Sequence, residues 1–224
     1  MDAVYELRRY TLHPGRRDEL IELFDREFVE SQEEVGAVLP GQFRDLGDPD
    51  RFVWLRGFAD MAARLKALTD FYAGPVWKAN SRAANATMID SDDVLLLRPS
   101  RPGSGFPAGG ERPPVGAAAP GSVLVATIHH RDTPVDDEFR AAFEEVRPVL
   151  SATGAAPLAY LETEYADNDF PGLPVRTGEH VFVWLAAESD PAGYADAPEW
   201  TELAARTARV ERMRLSPTGR SLLR

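Results

Sequence analysis

Phe52-Val53-Trp54-Leu55 occurs a second time, letter for letter, as Phe182-Val183-Trp184-Leu185. Its surroundings repeat as well, at a nearly constant spacing. Glu19 answers to Glu138 and Gly36 to Gly154. Leu97 before Arg98-Pro99 answers to Leu215 before Ser216-Pro217. Trp77 after Gly74-Pro75 answers to Trp200 after Pro198. A duplicated unit accounts for all of these. A stretch rich in proline, glycine and alanine, from Pro99 to Pro120, separates the copies and reads as a linker.

Working outward from the tetrapeptide, each copy shows the same order of elements. Val4 to Leu12 is β-branched and aromatic and stops at His13-Pro14-Gly15, the signature of a strand and a turn. Leu20, Ile21, Leu23, Phe24 and Phe28 mark one face of a helix that ends near Gly36. Strands follow over 38–46 and 51–58, then a helix from Asp60, a second beginning at Pro75 and running through Met88, and a strand over 92–98. The second copy has strands over 122–130, 158–165, 180–187 and 211–215. Its first helix carries Phe139, Phe143, Val146 and Leu150 on one face. The order β-α-β-β-α-β is that of a ferredoxin-like unit, so the expected units are 1–100 and 122–224, with 101–121 between them. One face of each sheet lacks helices and must be buried. Pairing the two open faces predicts a barrel-like core within one chain.

The 224 residues carry a net charge of −11 and no basic run, which disfavours nucleic acid and anionic lipid as partners. The absence of cysteine removes thiol chemistry, disulfides and zinc–thiolate sites. No apolar run reaches the about 20 residues that span a bilayer, and Met1-Asp2-Ala3-Val4 has no signal pattern. The expected setting is cytoplasmic, with self-association left open. There is no glycine-rich phosphate loop, G-x-S-x-G or H-E-x-x-H, and no cofactor is expected.

The opening Tyr5-Glu6-Leu7-Arg8-Arg9-Tyr10-Thr11-Leu12-His13-Pro14-Gly15 resembles that of the NIPSNAP family, Tyr-Glu-Leu-Arg-x-Tyr-x-x-x-Pro-Gly. The Phe-Val-Trp-Leu strand, the aspartate-led helix after it and the Pro-x-Trp helix resemble that family too. The second half shares only its Phe-Val-Trp-Leu strand, Pro198-Glu199-Trp200 and the closing run from Arg214 to Thr218. The resemblance implies the dimeric α/β-barrel superfamily, which includes cofactor-free monooxygenases, isomerases, cyclases and haem enzymes.

Strand alternation separates Glu6, Arg8 and Tyr10 from Tyr5, Leu7, Arg9 and Thr11. The matching residues in the second half are Val125, Thr127 and His129 against Leu124, Ala126, Ile128 and His130. The aliphatic set is expected to face the helices and the polar set, with Trp54 and Trp184, the partner sheet. His129 and His180, taken to lie on parallel neighbouring strands, should be about 15–20 Å apart, too far for one metal ion. The candidate catalytic residues are His129, as a general base with the arginine at its end of the sheet, Arg212, stabilising an oxyanion, and Arg8, which with Glu6 is placed to orient a carboxylate or carbonyl ligand. Glu6, Tyr10, Trp54, Trp77, Tyr160, Trp184, Trp200 and Arg212 are candidate binding residues. The expected ligand is a small apolar or aromatic, oxygen-bearing metabolite held between sheet and helices. The expected chemistry is proton transfer, cyclisation or cofactor-free oxygenation. The alternative is a non-catalytic ligand-binding or interaction module in which these polar groups are hydrogen-bonded core residues.

Overall fold

The computed structural model describes residues 3–107, 109–190 and 192–224. Its strands close into one eight-stranded barrel in the order β1-β3-β2-β8-β5-β7-β6-β4. The first half supplies β1 (Val4–Leu12), β2 (Val38–Asp45), β3 (Arg51–Phe58) and β4 (Met88–Pro99). The second supplies β5 (Leu124–His130), β6 (Ala159–Thr163), β7 (Val181–Ala187) and β8 (Arg209–Pro217). The halves join where β2 pairs with β8 and β4 with β6. The expected pair of ferredoxin-like units sharing a barrel core is therefore present.

The helices form an outer layer. In the first half these are α1 (Arg17–Leu23), α2 (Val29–Glu33), α3 (Met61–Ala73) and α4 (Pro75–Asn85). In the second they are α5 (Asp137–Ala152), α6 (Ala192–Ala195) and α7 (Pro198–Ala205). Asp60 caps α3 by accepting from Ala63 N at 2.7 Å, and Pro75 occupies the first turn of α4. A π-helical turn over Phe24–Phe28 joins α1 to α2, where the sequence pattern shows one helix. It sets both phenylalanine rings edge-on to each other, 6.0 Å apart, with Phe24 over Trp54 and Phe28 against Phe71. β4 begins at Met88, earlier than the pattern suggests, because it continues along β1 through irregular pairings after Arg9.

The two faces are the reverse of those expected. Leu7, Val53, Leu55, Leu124, Ala126, Ile128, Val183 and Leu185 fill the barrel. Glu6, Arg8, Tyr10, Trp54, His129 and Trp184 lie under the helices instead. An eight-stranded barrel is only wide enough to be filled by side chains, and branched aliphatic chains meet that limit. The gap between sheet and helices takes indoles and guanidinium groups. Arg9 accordingly belongs to the barrel face, where it closes one mouth. It pairs with Asp93 at 2.9 Å and reaches Glu211 of β8 at 2.5 Å.

All neighbouring strands are antiparallel, β5 and β7 included, because the hairpin β2–β3 and its copy β6–β7 reverse the chain inside a split β-α-β unit. His129 pairs with Phe182, and Arg131 N donates to His180 O at 2.8 Å. His129 and His180 are therefore near neighbours on adjacent strands, and the expected wide separation is wrong. No cluster of three or more potential metal ligands occurs among the described residues.

Candidate functional site

Beneath the first helix layer, Glu6 accepts from three guanidinium groups. Arg8 Nη1 lies at 2.7 Å, Arg56 Nη2 at 2.6 Å and Arg64 Nε at 2.7 Å. All four side chains are buried. Burial alone would raise the Glu6 carboxyl, but the charges of Arg56, Arg8 and Arg64 overcome it and hold the group well below the usual carboxylate range. Arg8 also donates to Tyr10 Oη at 3.2 Å and lies over the Trp54 ring, 5.6 Å from its centroid. Tyr10, Trp54, Phe71, Tyr72 and Trp77 roof this cluster, leaving a residual cavity of about 30 Å³. That volume suits a water molecule and excludes an organic ligand. Among the described residues the carboxylates paired with these three arginines are Glu6 and Asp169, whose Oδ1 is 2.6 Å from Arg64 Nη1, while Arg56 Nη1 also donates to Gln32 Oε1 at 2.9 Å. Arg64 Nη2 and Trp54 Nε1 are buried without an acceptor among the described residues.

The second half has the same ladder without the charges. Arg8 faces Trp54 across β1 and β3, and Thr127 faces Trp184 across β5 and β7. Glu6 faces Arg56, and Val125 faces Ala186. Tyr160, Trp184, Thr127 and Arg212 form one row across four strands, with His129 one step along the same face. Trp184 Nε1 donates to His129 Nε2 at 3.1 Å, so His129 Nδ1 carries the proton and donates to Thr207 Oγ1 at 3.2 Å. Burial, with the charges of Arg212 and His130, pushes the His129 imidazole down to about 3. Both ring nitrogens are engaged, and Phe139, Phe182 and Trp200 surround the ring.

Where the first half holds its ion cluster, the second half has an open groove of about 290 Å³. Val125, Ala186, Trp184 and Tyr194 form its apolar walls, and Arg212 and Arg214 of β8 its cationic side. Arg214 is tied to Glu188. Arg212 lies over Trp200 at 5.3 Å and Tyr194 at 5.6 Å. It has no hydrogen-bond or ion-pair partner among the described residues.

Loop length explains why one cleft is closed and the other open. The chain between β6 and β7, residues 164–180, crosses onto the first half. Glu164 N donates to Leu96 O and Arg176 N to Val94 O, each at 2.9 Å. This strap covers the outer side of β4 and sends Asp169, Phe170 and Leu173 under the helices. Its counterpart, residues 46–50, makes the first of these bonds, Leu46 N to Arg214 O at 2.8 Å, and then turns back. The outer side of β8 is left uncovered.

Arg8 and His129 lie in different halves, each under its own helix layer. Glu6 and Tyr10 contact Arg8, and Trp54 packs on it. Trp77 packs against Phe28, Phe71 and Tyr72 in the first aromatic layer. Trp184, Trp200 and Arg212 meet around the groove. Tyr160 lies on the far side of Trp184, where its hydroxyl donates to Glu144 Oε1 at 3.0 Å. Arg56, Arg64, Asp169 and Tyr194 are site residues that motif reading passed over. Arg56 had a legible signal, since it shares a strand face with Trp54.

The duplicated half-barrels, with helices outside and side chains filling the interior, define a dimeric α/β-barrel built within one chain. Residues 5–101, within the first half, match the NIPSNAP family profile. No curated protein matches the sequence. Two solved structures share the whole architecture. A provisionally named monooxygenase from Lactobacillus acidophilus NCFM is 15% identical, with 97% of this chain and 94% of that one covered and a TM-score of 0.59. A second, from Fusobacterium nucleatum, is 9% identical over 97% and 93% of the two chains, with a TM-score of 0.61. A NIPSNAP-like domain protein from Burkholderia xenovorans is 25% identical over 49% of this chain and 96% of its own, with a TM-score of 0.44. At these identities the first two likenesses concern fold alone.

Proposed function

We propose that the protein binds a small, largely apolar or aromatic carboxylate in the groove of its second half. One observation carries the reading: Arg212, an exposed guanidinium group held over the Trp200 and Tyr194 rings and without a protein partner among the described residues, stands at the side of a groove walled by Trp184, Tyr194, Val125 and Ala186. Apolar walls with one cation left over once Arg214 is paired with Glu188 suit a ring or short chain ending in a carboxylate. The same placement stabilises an oxyanion, the form of catalysis this groove supports best. Proton abstraction is less well served. His129 sits behind Trp184 with both nitrogens engaged, and Glu188 is committed to Arg214. Arg8 is likewise committed to Glu6 and Tyr10, which favours a structural role for it.

Phenylacetate is a suitable probe, with phenylethanol as its neutral counterpart. Calorimetric titration is expected to show phenylacetate binding, weakened at least about tenfold in Arg212→Gln, the loss of one charge-assisted hydrogen bond. Phenylethanol binding should be unchanged by the substitution. Equal phenylacetate affinity in both proteins would remove Arg212 from the site and the reading with it.

A further inference from the structure

The strap that closes the first-half cleft carries, in sequence, a carboxylate and a phenyl ring. Asp169 bonds to the buried Arg64 at 2.6 Å, and Phe170 stacks on Tyr72 with centroids 5.8 Å apart and planes at 27°. Leu173 completes the contact by joining the aromatic layer. Asp169 meets Arg64 beside Glu6 and Arg56, the counterparts of Val125 and Ala186 that line the open groove. Arg64 keeps Nη2 without an acceptor even with Asp169 in place, so the cation has capacity for a second oxygen. The strap is anchored at its two ends, at Glu164 and Arg176, and touches the cleft between them through three side chains.

We propose that the first-half cleft is a second binding site for an aromatic monocarboxylate, and that Asp169 and Phe170 occupy it as a tethered substitute. A free ligand would place its carboxylate on Arg64 and its ring against Tyr72, displacing the strap. This goes beyond the groove reading, shares only its ligand class, and rests on separate residues.

The test is made in the Arg212→Gln background, which removes the groove from the measurement. With the strap intact, phenylacetate should give little rise in melting temperature. Asp169→Ser together with Phe170→Ser should lower the melting temperature, and phenylacetate, but not phenylethanol, should restore it. A folded double variant that gains nothing from phenylacetate, or gains equally from the alcohol, would overturn the proposal. Should the double variant not fold, hydrogen exchange of the strap amides decides. Phenylacetate should raise their exchange by a factor of one plus the ratio of its concentration to Kd, where Kd is that of the strap-free cleft, and unchanged exchange at the highest soluble phenylacetate concentration would overturn the proposal. Failure of the groove reading leaves these outcomes distinct, since that reading is scored on Arg212 and this one on the strap.

Discussion

Glu6→Gln is expected to destabilise the protein by about 3–5 kcal/mol, the cost of leaving buried charge without its counter-ion. Glu6 is the shared acceptor of Arg8, Arg56 and Arg64, and each of the four side chains is at most 1% exposed. Glutamine keeps the shape but removes the charge, so Arg64 would keep Asp169 and the buried Arg8 and Arg56 would have no carboxylate partner among the described residues. The control is Glu162→Gln. That carboxylate also receives two arginines, Arg98 and Arg140, but their side chains are 43% and 28% exposed and water can replace the lost partner. Urea unfolding should separate the two variants clearly. A loss below about 1 kcal/mol in Glu6→Gln, the range of an exposed pair, would mean that the cluster is not the internal clamp described above.

His129→Phe is expected to be less stable than the parent at neutral pH and more stable in acid. At pH 7 the substitution leaves Trp184 Nε1 without an acceptor, a cost of about 1–3 kcal/mol, while the ring keeps its packing against Phe139, Phe182 and Trp200. The pH dependence follows from linkage. The unfolded chain protonates histidine near 6.5, whereas the folded protein holds His129 neutral down to about 3. Between those values the unfolded state binds the extra proton. The stability from neutral His129 is therefore complete above about 6.5 and falls as pH drops, by up to about 1.4 kcal/mol per unit. Phenylalanine does not titrate, and the remaining acidic groups are common to both proteins. Unfolding curves at pH 7, 5.5 and 4 should bring the two stabilities together and then cross. Parallel curves across that range would show that His129 is not held neutral inside the fold.

Much of the architecture is legible in the sequence because a duplication writes it twice. The paired Phe-Val-Trp-Leu strands, the proline-led helices and the glycine-rich crossover are enough to derive two units around one barrel. The side of the sheet is harder to read. Leu7, Ala126 and Ile128 look like helix-facing residues because aliphatic chains usually pack there, yet a closed barrel is the narrower space and claims them first. Glu6 and Arg8 can be found from the opening motif, but their partners Arg56 and Arg64 lie 50 and 58 residues from Glu6, and no local pattern links them. The strap is visible in the sequence only as an Asp- and Pro-containing loop, because its role depends on crossing to the other half. The open groove is legible only in hindsight, as the short turn over 46–50 set against the long one over 164–180.

One cleft of the pair stands open and its copy is closed by the chain itself. Crystals of the protein soaked in phenylacetate test it most directly. The expected result is density between Trp184 and Tyr194 with its carboxylate on Arg212, and the strap still seated over Tyr72 at concentrations that first fill the groove. An empty groove with phenylacetate bound elsewhere, at a concentration that saturates the protein in solution, would show that Arg212 and the Trp184 wall do not form the ligand site.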